Sequence, residues 1–312
     1  MIHILFIDLL IDKPIKFQQY SGFAIRGLFY NILTKSNKEL ADELHASKKI
    51  APFSSTPLLK VNNKFHVIYS TINKPCITRI GFSILNDDLF LSLIQSIKDL
   101  STLPLIGSEF LIKMVEVKEV DPSTFYSYEP VKEFSVTFIT PTYFRSSPKF
   151  CKVCRVYLRK DPSFRKLVLA NHSAYKFIPL PQPEHLFRNL LKLWCNFINK
   201  PLVNPIKFLD WLDEGAIVIS GFPKGIITHR VYEHKTMNKW VVGFTGTVHF
   251  SILSEYYDKR YAKVVDTLLR FGELTNVGGG RSAGFGMIKY QPMVESEVND
   301  VTFKERRSGE EI

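Results

Sequence analysis

Histidine is the side chain best suited to moving protons near neutral pH, and this chain has eight. His45 has the most suggestive setting. It closes a short helical stretch and stands just before Ser47-Lys48-Lys49, so a proton carrier and positive charge lie close together. A group so placed could accept or deliver a proton beside positive charge. From the residues alone, His45 reads equally as a surface histidine ending a helix. His249, in the strand-like GTVHFSI, reads more readily as a sheet residue. His229 adjoins Arg230 in a hairpin-like stretch and suits either contact with a polyanion or plain exposure.

A second chemically loaded stretch is NVGGGRSAGFGMIKY, residues 276–290. It is not a P-loop, which needs Gly-Lys-Ser/Thr opening a helix after a strand. Nor is it a dinucleotide fingerprint, because here the glycines follow a helix and precede a strand. Glycines let a backbone approach a ligand closely and leave N–H groups for phosphate oxygens, and Arg281 could add a bidentate contact. Gly278, Gly280, Arg281, Ser282, Gly284 and Gly286 are therefore candidates for gripping a nucleic-acid backbone, with Arg26 and Arg230 as further candidates. The other reading is a tight helix-to-strand turn that needs positive φ.

The bulk numbers favour a polyanionic partner. There are 41 Lys+Arg against 30 Asp+Glu, a formal charge of +11, in a chain of 312 residues with the 45% hydrophobic content of a folded globular protein. RNA, DNA or an anionic membrane surface would each fit that charge. No run approaches the ~20 apolar residues of a membrane span. The opening MIHILFIDLLIDK lacks a basic leader and a small-residue cleavage site, and Asp8 interrupts it, so it reads as a first buried strand. The four cysteines include only one close pair, Cys151 and Cys154, without the further ligands that a structural zinc needs. We therefore expect a reduced, cytoplasmic protein with no metal and no cofactor.

These residues need elements to position them. Apolar spacing predicts a strand over 2–11, a helix over 22–33, and a second short helix reaching His45 behind a Ser36–Glu39 capping box. Strands at 65–71 and 77–85, a helix at 89–100 and a strand at 110–120 complete a βα(α)ββαβ order. That is a ferredoxin-like unit, expected to occupy residues 1–122. A linker follows at 121–131, and the order then repeats over 132–294. The second unit has strands at 134–140, 215–222, 240–253 and 284–290 and helices at 184–198 and 256–274. A basic insertion at 145–178 interrupts this unit, and the polar tail at 295–312 is expected to be disordered. The fold class is thus α+β, with two tandem ferredoxin-like (RRM-like) domains and a glycine-rich loop before the last strand.

Several segments, taken in order, resemble the CRISPR-associated endoribonucleases that cut precursor CRISPR RNA within its repeats, the Cas-six family of the RAMP superfamily. They are GFAIRGLFYNIL with LADELHASKKIAPFSSTPL, then ITPTYF, PLPQPEHLFRNLLKLW, GFTGTVHFSI and LTNVGGGRSAGFGMIKY. The resemblance implies metal-independent cleavage by the 2′-OH, leaving a 2′,3′-cyclic phosphate and a 5′-OH. It implies His45 as the catalytic histidine, Tyr30 as its partner, and Lys48 or Lys49 as the cation that completes the site. The implied partners are precursor CRISPR RNA repeats, subunits of a CRISPR effector complex and a second copy of the chain, with no membrane. A non-catalytic CRISPR RNA-binding subunit would share the fold, the charge and the loop.

Overall fold

Nine of the first eleven residues are apolar, and they form a strand buried on both faces. The computed structural model describes residues 1–47, 49–62, 65–126, 129–146, 176–234 and 239–293. Lys48, the Cys151–Cys154 pair, all but the ends of the 145–178 insertion, and the 295–312 tail lie outside the described residues.

The first domain runs β1 (Ile2–Ile11), β2 (Ile15–Lys16), α1 (Ser21–Ser36) and α2 (Lys38–Ala46). Four short strands follow: β3 (Phe53–Ser55), β4 (Leu59–Val61), β5 (Phe65–Val67) and β6 (Thr71–Ile72). Then come β7 (Cys76–Ile84), α3 (Asp87–Ile97), β8 (Thr102–Leu105) and β9 (Ser108–Val120). In the sheet, β1 lies between β7 and β9, and β3 and β4 flank β7 on its far side, all antiparallel. This is the split βαβ arrangement of a ferredoxin-like fold. Helices α1 and α3 cover one face, burying Ile25, Leu28, Phe29, Ile32 and Leu33 from one and Leu89, Phe90, Leu93 and Ile97 from the other. Each such side chain contributes about 1.5–3 kcal/mol by leaving water.

The second domain comprises β10 (Glu133–Thr142), β11 (Phe144–Ser146), β12 (Lys176–Ile178), α4 (Pro183–Phe197) and α5 (Pro205–Asp213). It continues with β13 (Ile217–Gly221), β14 (Ile226–His234), β15 (Lys239–Ile252), α6 (Lys259–Thr275) and β16 (Ile288–Met293). Its sheet order is β13-β15-β10-β16, which repeats the first domain's order, and β14 extends β15 as a hairpin. Ile2, Ile4 and Leu85 of the first domain join the second domain's core, so the two units pack against each other. Among the described residues, no helix is long and apolar enough to cross a membrane.

Three local readings are corrected. The capping box does not form. Asn37 caps α2, its side chain accepting from Leu40 N at 3.0 Å, while Ser36 ends α1 and donates to Ser92 O at 2.7 Å. Asn is as good a cap as Ser, and a one-residue shift keeps α2's apolar face inward. The strand expected at 65–71 is two fragments, and the strands that flank β7 are β3 and β4. Pro57 in the gap between them hid that pairing, since proline interrupts a ladder. The closing strand starts at Ile288 instead of 284, because Gly284 and Gly286 take positive φ.

Candidate active site and the glycine-rich joint

Tyr30 lies in the second half of α1 and His45 on the final turn of α2, and only Asn37 separates the two helices. The hairpin so formed brings the rings together, edge to face, with centroids 5.1 Å apart and planes at 88°. His45 is exposed and Tyr30 half-buried. Tyr30 also stands edge-on to Phe29 (5.8 Å) and Phe53 (6.0 Å), which themselves stack at 3.8 Å, so an aromatic wall fixes its ring. Burial raises the Tyr30 hydroxyl above its ordinary pKa, and the guanidinium of Arg26, one turn earlier, draws it part of the way back. Phenol, imidazole and guanidinium therefore occupy one partly open corner. Lys49 is exposed two residues beyond α2's cap, its backbone N donating to Ser47 Oγ at 3.1 Å. The structure does not choose between Lys48 and Lys49.

Phe23, Arg26 and Tyr30 recur at i, i+3 and i+7, and all three are half-buried. They form one stripe on α1. At the far end of the stripe Phe23 meets Tyr232 of β14 edge-on at 5.3 Å. Tyr232 in turn lies 3.4 Å, hydroxyl to hydroxyl, from Tyr143, with Arg145 beside both. Apolar spacing predicts the helix over 22–33 but says nothing of this cluster. The three-and-four spacing of α1 was the available signal. Arg230 is exposed on β14 with its guanidinium 5.8 Å from the exposed Trp240 ring, and His229 Nε2 lies 2.8 Å from Thr245 Oγ1. Both are remote in sequence from α1. His249 sits mid-strand between Ser135 and Gly221, as a sheet residue.

The glycine segment departs from the expected clamp. Gly278, Gly280, Gly284 and Gly286 all take φ of 73–75°, which makes the stretch a tight left-handed turn. A Cβ on Gly286 would stand 1.8 Å from Val277 O, and one on Gly284 2.5 Å from Pro57 N. Many of its N–H groups already have partners inside the chain. Gly278 N donates to Asn189 Oδ1 (2.8 Å), Gly279 N to Tyr143 O (2.8 Å), Gly284 N to Arg281 O (3.1 Å) and Gly286 N to Pro141 O (3.3 Å).

Arg281 is buried, and its guanidinium donates to Thr275 O (3.2 Å) and, in the first domain, Ala51 O (3.1 Å). Burial pushes its pKa down to about 10. The expectation of an outward, bidentate arginine is thereby corrected: this cation serves carbonyls of its own chain. Further bonds cross between domains here. Ser55 Oγ donates to Ser282 O (2.9 Å), Asn276 Nδ2 to Ser55 O (2.9 Å) and Tyr20 OH to Gly284 O (3.2 Å). Ser282 is half-buried. The segment is a joint that fastens the second domain to the start of α1 and to β3.

Residues 136–288 match the family model for CRISPR-associated endoribonuclease Cas6, and residues 1–103 match that for the CRISPR Cas6 N-terminal domain. The chain belongs to the Cas6 family. The N-terminal Cas6 match contains Arg26, Tyr30 and His45, and the other contains most of the glycine segment. No curated protein matches the sequence. Solved structures share the fold. A Cas6 product complex superposes with a TM-score of 0.70 at 19% identity, covering 93% of this chain and 100% of that one. Thermus thermophilus Cas6 gives 0.64 at 18%, with 93% and 98% covered. An RAMP protein described as binding different RNA substrates gives 0.54 at 12%, with 93% and 100% covered. Among the described residues, no three His, Cys, Asp or Glu side chains are grouped to hold a metal ion.

Proposed function

We propose that the chain cleaves precursor CRISPR RNA within its repeats, using the RNA's own 2′-OH as the nucleophile. The observation that carries this reading is the contact of Tyr30 with His45, open to solvent on the His45 side and flanked by Arg26. Membership of an endoribonuclease family supports the reaction class, and the RNA-binding RAMP neighbour supports the substrate class.

In the proposed step the 2′-oxygen bonds to phosphorus and the bond from phosphorus to the 5′-oxygen breaks. His45 accepts the 2′-OH proton, and the Tyr30 hydroxyl, kept protonated by burial, donates toward the leaving 5′-oxygen. Arg26, together with Lys48 or Lys49, offsets charge on the phosphorane. The products are a 2′,3′-cyclic phosphate and a 5′-OH. The nucleophile belongs to the substrate, so this step requires no metal-activated water. Arg230, Gly280 and Ser282 are assigned to the RNA path, and the processed RNA passes to effector-complex subunits in the cytoplasm.

The test uses end-labelled repeat RNA in EDTA, beside a copy with a 2′-deoxy at the cut. Wild type should cleave only the unmodified RNA, and His45→Ala should be slower by about 100-fold or more. Tight binding without cleavage would instead mark a non-catalytic CRISPR RNA-binding subunit.

A further inference from the structure

Aromatic side chains that only fill a core close around one another. The cluster at the far end of the α1 stripe is closed on one side only. Its back is shut, with Phe285 and Tyr143 at 0% and 1% exposure. Its front is half-open, where Phe23 of α1 and Tyr232 of β14 meet edge-on and each keeps part of its surface in solvent. Phe285 stands behind both rings, 5.6 Å from Phe23 and 6.4 Å from Tyr232. The two front rings come from different domains, and Phe285 belongs to the glycine-rich joint that fastens those domains together.

Polar groups sit at the rim. Arg145 is exposed, with its guanidinium beside the Tyr143 and Tyr232 hydroxyls and 6.0 Å from the Phe177 ring. Those two hydroxyls are 3.4 Å apart, longer than the ~2.7–2.8 Å usual for a hydroxyl pair. Aromatic rings beside a guanidinium suit a flat ring with polar edges, carried on an anionic backbone. An unpaired RNA base is such a ring, and it is held by stacking on aromatic or guanidinium planes and by hydrogen bonds at its edge. The cluster's place says which base. Phe23 precedes Tyr30 by seven residues on one stripe, ~10 Å along the helix axis. That is about three nucleotides stacked at ~3.4 Å each, and fewer in a drawn-out strand. Arg26 lies between the two, where the connecting phosphates would pass. The stripe contains Tyr30, which serves the leaving 5′-oxygen, whereas His45, which serves the 2′-OH, stands on the neighbouring helix. A strand laid along the stripe therefore leads away on the 3′ side of the cut.

We propose that Phe23, Tyr232 and Arg145 form a cradle for one unpaired base of the RNA, two or three nucleotides 3′ of the cut. This rests on the reading that Tyr30 and His45 cleave RNA. A base inside a duplex has its faces covered by its neighbours, so the strand must be single at that point. Stacking accepts any base, because every base has a π-face, so the cradle senses that a base is present and not which one it is.

The test uses repeat RNA with a 2′-deoxy at the cut, which binds without being cleaved, and removes one base at a time on both sides of that point. Filter binding to the wild-type chain should weaken by about 10-fold or more when the second or third base on the 3′ side is missing. The matching positions on the 5′ side should matter less. Phe23→Leu and Tyr232→Leu keep apolar bulk and remove a ring. Each should bind intact RNA about 10-fold more weakly and be indifferent to the same missing base. Phe23→Trp, which restores a ring, should recover both properties. A flat profile in wild type would overturn the proposal, as would a loss confined to the 5′ side. So would a missing base that costs the leucine variants as much as it costs wild type. Unmodified RNA is scored separately for cleavage. A cut with a flat profile removes the cradle and leaves the proposed reaction, whereas a sensitive base without any cut removes the reaction and leaves the cradle.

Discussion

His45 and Tyr30 are fifteen residues apart in the chain, yet their rings touch because two helices meet at one extended asparagine. Removing the imidazole should cost about 100-fold or more in single-turnover cleavage with little change in RNA affinity, read from rate and filter binding on the same preparation. Tyr30 permits a sharper test. Burial holds its hydroxyl above the ordinary tyrosine value of ~10, and Arg26 works in the opposite direction. Cleavage that uses this proton should therefore hold its plateau up to alkaline pH and fall as the hydroxyl ionises. Arg26→Gln removes the lowering influence, so the alkaline fall should move to higher pH while the plateau drops. A fall moving to lower pH would show that Arg26 does not act on Tyr30. Of this corner, His45 beside its lysines was legible in sequence. Tyr30 as its partner was implied only by the family resemblance, because their contact depends on how α2 folds back, a tertiary fact with no local signature.

At the scale of elements, β1 was readable to the residue, because ten apolar-rich positions ending at Asp12 and Lys13 admit little else. The glycine segment was legible as unusual backbone but not as a joint, since the first-domain carbonyls that Arg281 and Asn276 meet, those of Ala51 and Ser55, lie more than two hundred residues earlier. Gly286→Ala must force a Cβ into Val277 O, and we expect a loss of about 3 kcal/mol or more, seen as a lower denaturation midpoint. The buried phenols predict a pH effect on stability. Tyr143 is raised chiefly by burial, and Tyr290 by burial and by Asp266, whose carboxylate accepts its hydroxyl. Because folding raises these pKa values, their contribution is complete below the unfolded value of ~10 and is lost as pH climbs above it. Thermal melts between neutral pH and pH ~11 should fall at the alkaline end, and Tyr290→Phe should soften that fall.

For the whole molecule, the +11 charge predicts RNA affinity that weakens steeply with salt. Arg230, exposed on the β14–β15 hairpin, and Arg281, buried in the joint, separate surface charge from structural charge. Arg230→Ala should lower the slope of log affinity against log salt by ~1. Arg281→Met should leave the slope unchanged in whatever fraction folds. Composition showed that charge but not its distribution, because an arginine facing carbonyls and one facing solvent look alike in a sequence. The joint also has a meaning in time. Ser55 and Ser282 are 227 residues apart, so at ~5–20 residues per second the ribosome makes one on the order of 10–45 s before the other. Throughout that interval the helix bearing Tyr30 exists without the bond from Tyr20 and without the contacts around Ser55. A nascent or prematurely ended chain thus carries the Tyr30–His45 corner unfastened, and a chain stopped before the joint should cleave repeat RNA more slowly than the full chain.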